Sequence, residues 1–186
     1  KNTVFVACLT AAIGVPISLA LGIVAAMYPG SLYDRILTLI SVSLVAAPEF
    51  LTATILVLLF VFALGVGNAI VMGSTEGKGV FELIAHFALP ITTLCFVIAS
   101  QLIRMSRAAV LNVMSSPYIE MAILKGVPRR RIIFRHALLN AVGPIVNVVA
   151  LNLAYLVTGV IVVEVYFGYN GSVSYTHLRA HETADN

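Results

Sequence analysis

The sequence predicts an all-α fold, a polytopic transmembrane helical bundle of about four spans plus one short helix outside the membrane, on three observations. Of 186 residues, 60% are hydrophobic and 10% charged, and the mean hydropathy is +1.03. A soluble domain carries about 25% charged residues, so the bilayer is the natural solvent for a surface this apolar. Four long apolar stretches divide the chain, and each can cross ~30 Å of hydrocarbon at ~1.5 Å per residue. Charge is concentrated: seven of the eleven Lys and Arg lie between Arg104 and Asn140, against one acid there, Glu120.

Backbone polar groups must be satisfied internally in lipid, so the apolar stretches are helices. The first runs from about Thr3 to Met27, with Gly14 and Pro16 inside it, and Tyr28-Pro29-Gly30-Ser31 ends it with turn chemistry. The second, about Ile36 to Leu64, would extend ~43 Å as one helix. Pro48 removes a donor within it and favours a kink, so it is either two helices or one broken, tilted helix. The third runs from about Leu83 to Ile103 with Pro90 in its first third, and the fourth from about Ala141 to Val163 with Pro144 in its first turn.

Sidedness follows from charge. The basic 105–140 segment marks the cytoplasmic face. Alternation then places the 28–35 turn, with Asp34-Arg35, inside, and the N-terminus, the Gly-rich 65–80 loop and Glu164 outside. The net charge of +3 comes from this one segment. It therefore reports topology, and nucleic acid is not an expected partner.

Within the basic segment, Ser116 suits an N-cap and Pro117 the first helical position. Glu120 lies where the helix dipole favours an anion, and Gly126 can stop the helix in a left-handed conformation. The spacing predicts a nine-residue helix, Pro117 to Lys125, with Ile119, Ala122 and Ile123 on one face. A helix this short is marginal alone and must dock, on its own domain or on a partner. By itself the arginine run is equally an ordinary positive-inside loop.

Other candidates are weaker. Glu49 is the acid set well inside an apolar stretch; beside the Pro48 break it is either pathway-lining or satisfied by freed backbone donors. Cys8 and Cys95 read as small buried hydrophobes, with no CxxC partner. Gly73-Ser-Thr-Glu-Gly77-Lys78-Gly79 has three residues between its glycines where a phosphate loop needs four, and no Ser or Thr follows the Lys. No ATP site is therefore expected. His177 and His181 have metal-like spacing but lie in a suspect tail, and His86 and His136 have no ligand neighbours, so neither a metal nor another cofactor is expected. Without GxSxG or HExxH motifs an intramembrane enzyme is poorly supported.

These motifs, in this order, resemble the permease subunits of binding-protein-dependent ABC importers, most of all the dipeptide/oligopeptide/nickel branch. Tyr118, Ala122, Lys125-Gly126, Arg129–Arg131, Arg135-His136-Ala137-Leu138-Leu139-Asn140 and Pro144 match that family's EAA loop. Asp34-Arg35, Pro48-Glu49-Phe50, Arg104-x-x-Arg107 and Glu164-x-x-Phe167-Gly168-x-x-Gly171 match elsewhere. Met121 departs from the usual second Ala, and Gly143 stands before Pro144 where Leu is common. The resemblance implies a type I-like bundle, cytoplasmic ATPase subunits, a second homologous permease subunit and an extracytoplasmic solute-binding protein, in a bacterial or archaeal inner membrane. The 117–126 helix becomes a coupling helix seated on a separate ATPase. Tyr118, Glu120, Ala122, Lys125, Gly126, Arg129, Arg130 and Arg131 carry that contact, and the basic groups also meet anionic lipid. Pro48 and Glu49 become pathway candidates, and Glu164 a periplasmic-side group. The alternative is a secondary transporter or channel subunit that needs no ATPase.

The resemblance covers roughly 1–171, the expected permease domain is 1–172, and the family's first and last helices are absent from it, as in a fragment truncated at both ends. From Val173 the chain reads Val-Ser-Tyr-Thr-His-Leu-Arg-Ala-His-Glu-Thr. This resembles the translation of a sequencing-library adapter, so 173–186 is expected to be non-native read-through and is set aside.

Overall fold

The computed structural model describes residues 2–63, 65, 79–128 and 131–168. Arg129, Arg130, all of the phosphate-loop decoy but Gly79, Gly171 and the 173–186 tail lie outside the described residues. All regular structure among the described residues is helical: α1 (Asn2–Met27), α2 (Leu32–Ala46), α3 (Glu49–Val57), α4 (Val80–His86), α5 (Ala88–Met114), α6 (Pro117–Leu124) and α7 (Leu138–Phe167). Two π-helical segments, Leu58–Ala63 and Ile132–Ala137, extend α3 and precede α7. Among the described residues three helices are long and apolar enough to cross a membrane, or four spans if the pair broken at Pro48 counts as one.

The breaks follow local chemistry. Pro48 ends the second apolar stretch as one helix and becomes the N-cap of α3. Its carbonyl accepts hydrogen bonds from the amides of Leu51 and Thr52. The third stretch breaks at Phe87, which caps α4 before Pro90 enters the first turn of α5. Pro16 and Pro144 remain inside α1 and α7, and Pro144 falls in the second turn because α7 starts earlier than the apolar stretch. α5 runs well past Ile103 to Met114, so Arg104 and Arg107 stand on a spanning helix rather than in a loop.

The described residues divide into two compact units: one draws on 2–14, 47–97 and 154–168, the other on 15–46 and 98–153. In the first, Phe87 is fully buried against Phe5 at a ring separation of 6.4 Å. Tyr166 of α7 donates to Thr54 of α3 at 2.9 Å. Cys95 is partly buried, its Sγ 3.9 Å from the Thr10 carbonyl, but Cys8 is exposed, contrary to expectation. Only 22% of the most apolar window of α1 is buried, against 50% for α5; an apolar outer face is lipid surface, and a cysteine is as welcome there as in a core.

In the second unit Ala26, Val110, Ala141 and Ile145 form a core that joins α1, α5 and α7. Gly22 makes the closest approach. A Cβ there would lie 2.7 Å from the Ile103 carbonyl oxygen and closer still to Ser106 Oγ. Small residues let membrane helices pack backbone to backbone, and this pair does so. Gly22→Ala is expected to cost about 1–3 kcal/mol by overpacking, read as a lowered unfolding midpoint in detergent. Adding Ser106→Ala should not restore it, because the main-chain oxygen stays. Gly14→Ala is the control: its Cβ would meet Cys95 Sγ at an ordinary 3.5 Å.

Candidate functional site

The segment between α5 and α7 is built by two chain reversals. α5 ends at Met114, and the amides of Ser115 and Ser116 still bond to the carbonyls of Leu111 and Val113. Ser116 takes the extended N-cap conformation of α6, but its hydroxyl turns back to the Val113 carbonyl and makes no cap bond. The capping expected of its side chain is therefore absent. Pro117, with no amide hydrogen to satisfy, opens the helix.

α6 ends one residue earlier than expected, at Leu124, in a Schellman motif. Gly126 adopts φ +72°, its amide bonds to the Ile123 carbonyl at 2.9 Å, and the Val127 amide reaches back to the Ala122 carbonyl at 3.2 Å. This sets the buried face. Ile119 is fully buried with Ile132 and Ala137, and Ala122 and Val127 pack against them. Ile123, expected on that face, is 56% exposed, as are Met121 and Leu124 to a similar degree or more. Val127 takes the place of Ile123 because the motif folds the chain beyond the glycine back over the helix.

The exposed side of α6 carries Tyr118, Glu120, Lys125 and Gly126, with Arg131 exposed just beyond. Among the described residues nothing lies within 4 Å of a Cβ placed on Gly126. The structure thus brings together most of the residues singled out for coupling, with Ala122 half-buried beneath them; Arg129 and Arg130 fall outside the described residues.

Tyr118 does more than face outward. Its hydroxyl donates to the His136 carbonyl at 3.2 Å and accepts from Asn140 Nδ2 at 2.8 Å. Asn140 Nδ2 also reaches the His136 carbonyl at 2.7 Å. Tyr118, His136 and Asn140 therefore form one strap that ties α6 to the π segment and the start of α7. Tyr118→Phe removes two of its three bonds. The expected loss is about 0.5–1.5 kcal/mol of local stability, seen as roughly two- to tenfold faster hydrogen exchange in α6 with unchanged membrane insertion.

A second cluster escaped the sequence reading. Ser31 caps α2, its Oγ accepting from the Asp34 amide at 3.1 Å, and Asp34 Oδ2 reaches back past the cap to accept from the Gly30 amide at 2.9 Å. The same carboxylate is held by Arg107 of α5, through Nη2 to Oδ2 at 2.8 Å and a close Nε contact to Oδ1. This is a two-pronged pair, with the carboxylate 4% exposed and the guanidinium 26%. Asp34-Arg35 and Arg104-x-x-Arg107 were visible as separate motifs; only the fold joins them.

In the other unit Glu49 stands half-buried in the first turn of α3, its carboxylate oxygens 3.2 and 3.3 Å from where a Cβ on Gly159 of α7 would lie. Glycine at 159 makes the room this carboxylate occupies. Pro48 is exposed beside it. Glu164 is 2% exposed and accepts from Thr3 Oγ1 at 3.0 Å. Its carboxylate is thus turned inward and links α7 to the start of α1.

Residues 18–186 match the family described as binding-protein-dependent transport system inner membrane component, a span that includes the tail set apart above. The chain is 31% identical over 172 residues to the probable peptide ABC transporter permease protein y4tP of Sinorhizobium fredii (strain NBRC 101917 / NGR234), covering 92% of this chain and 54% of that protein. It is 32% identical over 153 residues to the glutathione transport system permease protein GsiC of Escherichia coli (strain K12), covering 82% and 47%. The same protein of Shigella flexneri serotype 5b (strain 8401) matches equally well. The chain spans about half the length of the curated relatives it matches. With its apolar spanning helices and the ordered motifs of the basic segment, the chain belongs to the family of binding-protein-dependent transport system inner membrane components.

Proposed function

We propose that the chain is a permease subunit of an ATP-driven importer, forming half of a translocation pathway for peptides or similar small solutes. It binds no nucleotide of its own; a separate ATPase subunit grips α6. The observation that carries this reading is the build of α6: a short helix pinned underneath by Ile119 and Ala122, stopped by Gly126, with Glu120 and Lys125 left exposed. A surface of this kind suits a handle. Charged groups and an open glycine allow close approach, while the strap through Tyr118 passes any displacement to α7.

The partners are a second homologous permease subunit, cytoplasmic ATPases, an extracytoplasmic solute-binding protein and membrane lipid. The setting is the inner membrane of a bacterium or archaeon, with 105–140 in the cytoplasm. The permease domain is 1–172, with 173–186 kept apart on its adapter resemblance. Arg129–Arg131 extend the ATPase or lipid contact. Pro48 and Glu49 lie on the pathway, where an intramembrane carboxylate meets solute or water. Glu164 shapes the periplasmic mouth from within, since its buried carboxylate leaves little for a binding protein to touch. The names of the relatives favour peptide-like cargo.

The test is co-expression with candidate ATPase subunits from the same organism. The permease is expected to co-purify with them, and in proteoliposomes their ATP turnover should rise when a peptide-loaded binding protein is added. Peptide uptake that persists with both ATPases deleted would establish a secondary transporter instead.

A further inference from the structure

Beside the Asp34–Arg107 pair lies an open cleft of about 390 Å³, lined by Asp34, Arg35, Thr38, Leu39, Val42 and Arg107. Four of these residues fall at i, i+3, i+4 and i+7 along α2, so they form one stripe. The stripe has a direction. Charge is confined to its start, at Arg35 and the Asp34–Arg107 pair. About 10 Å along the helix it ends in Leu39 and Val42, 69% and 48% exposed. Asp34 neutralises Arg107, but Arg35 is exposed and has no ion-pair partner among the described residues. The cleft therefore carries about one net positive charge at one end and an uncovered hydrocarbon wall at the other.

We propose that this cleft binds an anionic phospholipid of the cytoplasmic leaflet, its phosphate at Arg35 and the edge of Arg107, its acyl chain along Leu39 and Val42. The polarity of the stripe matches that of a lipid from headgroup to tail. The sidedness matches too, if the 28–35 turn is cytoplasmic as the charge distribution requires, because that leaflet is the anionic one. A second copy of the chain would have to cover Arg35 with an acid, whereas a monoanionic headgroup supplies that charge directly. The inference stands apart from coupling: it would hold for a permease or a channel.

The experiment is native mass spectrometry of the full chain released from nanodiscs of equal phosphatidylglycerol and phosphatidylcholine. Wild type is expected to retain phosphatidylglycerol in preference. Arg35→Gln should lower that retention about fivefold, the effect of one basic group at a lipid surface. Arg135→Gln, which removes an exposed arginine of the basic segment, should leave it unchanged. An equal fall in both variants would mean diffuse attraction, and no preference in wild type would mean no site; either overturns the proposal. So would displacement of the lipid by soluble glycerol phosphate, since a site that ignores the acyl chain is a phosphate site. Disulfide-linked dimers formed through Leu39→Cys would overturn it by giving the cleft to a second copy.

Discussion

Arg107→Ala is expected to be among the most damaging single substitutions in the chain, costing about 3 kcal/mol of stability in detergent. That is the lower end of the range for breaking a buried pair, because the Arg107 side chain keeps 26% exposure and already meets some solvent. The loss comes mainly from what is left behind: a carboxylate 4% exposed, with the Gly30 amide and the Ser31–Asp34 cap but no bonded cation. The double variant Asp34→Asn/Arg107→Ala is therefore expected to be more stable than Arg107→Ala alone, since it removes the stranded charge. The exchanged pair, Asp34→Arg/Arg107→Asp, should not recover wild-type stability. Position 34 lies in the first turn of α2, where an acid also satisfies the Gly30 amide and the helix dipole, and an arginine there does neither. Urea or detergent unfolding of the four proteins gives the cycle. Wild-type stability in Arg107→Ala would mean that the pair is spectator geometry.

The same pair marks the limit of what the sequence makes legible. The spans, the break at Pro48 and the stop at Gly126 are local events: a run of apolar residues, a missing amide hydrogen, a residue tolerant of positive φ. Each can be read from its own neighbourhood: α1, the break at Pro48 and the stop at Gly126 fall where they were expected, but the third stretch breaks at Phe87 and α5 runs on to Met114. Contacts set by packing are different. Asp34 and Arg107 are 73 residues apart, and no periodicity connects them. Tyr118 and Asn140 meet only because the chain reverses at Gly126 and again enters α7. Helical spacing put Ile123 on the buried face of α6, but tertiary folding of Val127 took that place. Charge also misled about secondary structure. Arg104 and Arg107 read as loop, yet α5 continues past both, because a spanning helix that emerges into the interface can carry basic groups without ending.

The proposed coupling role carries the second large expectation: Gly126→Asp and Glu120→Arg should each abolish peptide uptake while the protein still reaches the membrane in normal amount. The structure separates these two outcomes. Gly126 has φ +72°, and among the described residues nothing lies within 4 Å of a Cβ there, so an aspartate meets none of them. Its cost to the fold is the left-handed backbone, about 1–2 kcal/mol, with a few tenths more for an acid at a helix C-terminus. Glu120 is exposed in the first turn of α6, and reversing its charge forfeits about 0.3–1 kcal/mol of dipole stabilisation. Neither loss unfolds the second unit, whose core lies on α1, α5 and α7. Both changes alter what a partner meets at the tip of α6, one by adding bulk and charge where an approaching surface finds only a glycine, the other by inverting the acid. Loss of ATPase co-purification together with uptake would locate the defect in docking. Retained co-purification with uptake lost would place it in the transfer of motion through α6 to α7. A second-site charge reversal on the ATPase should be able to restore uptake to Glu120→Arg but not to Gly126→Asp, because only the first defect is one of charge. Full uptake by both variants would leave α6 as an ordinary cytoplasmic loop helix, and the handle would have to be sought elsewhere in the chain.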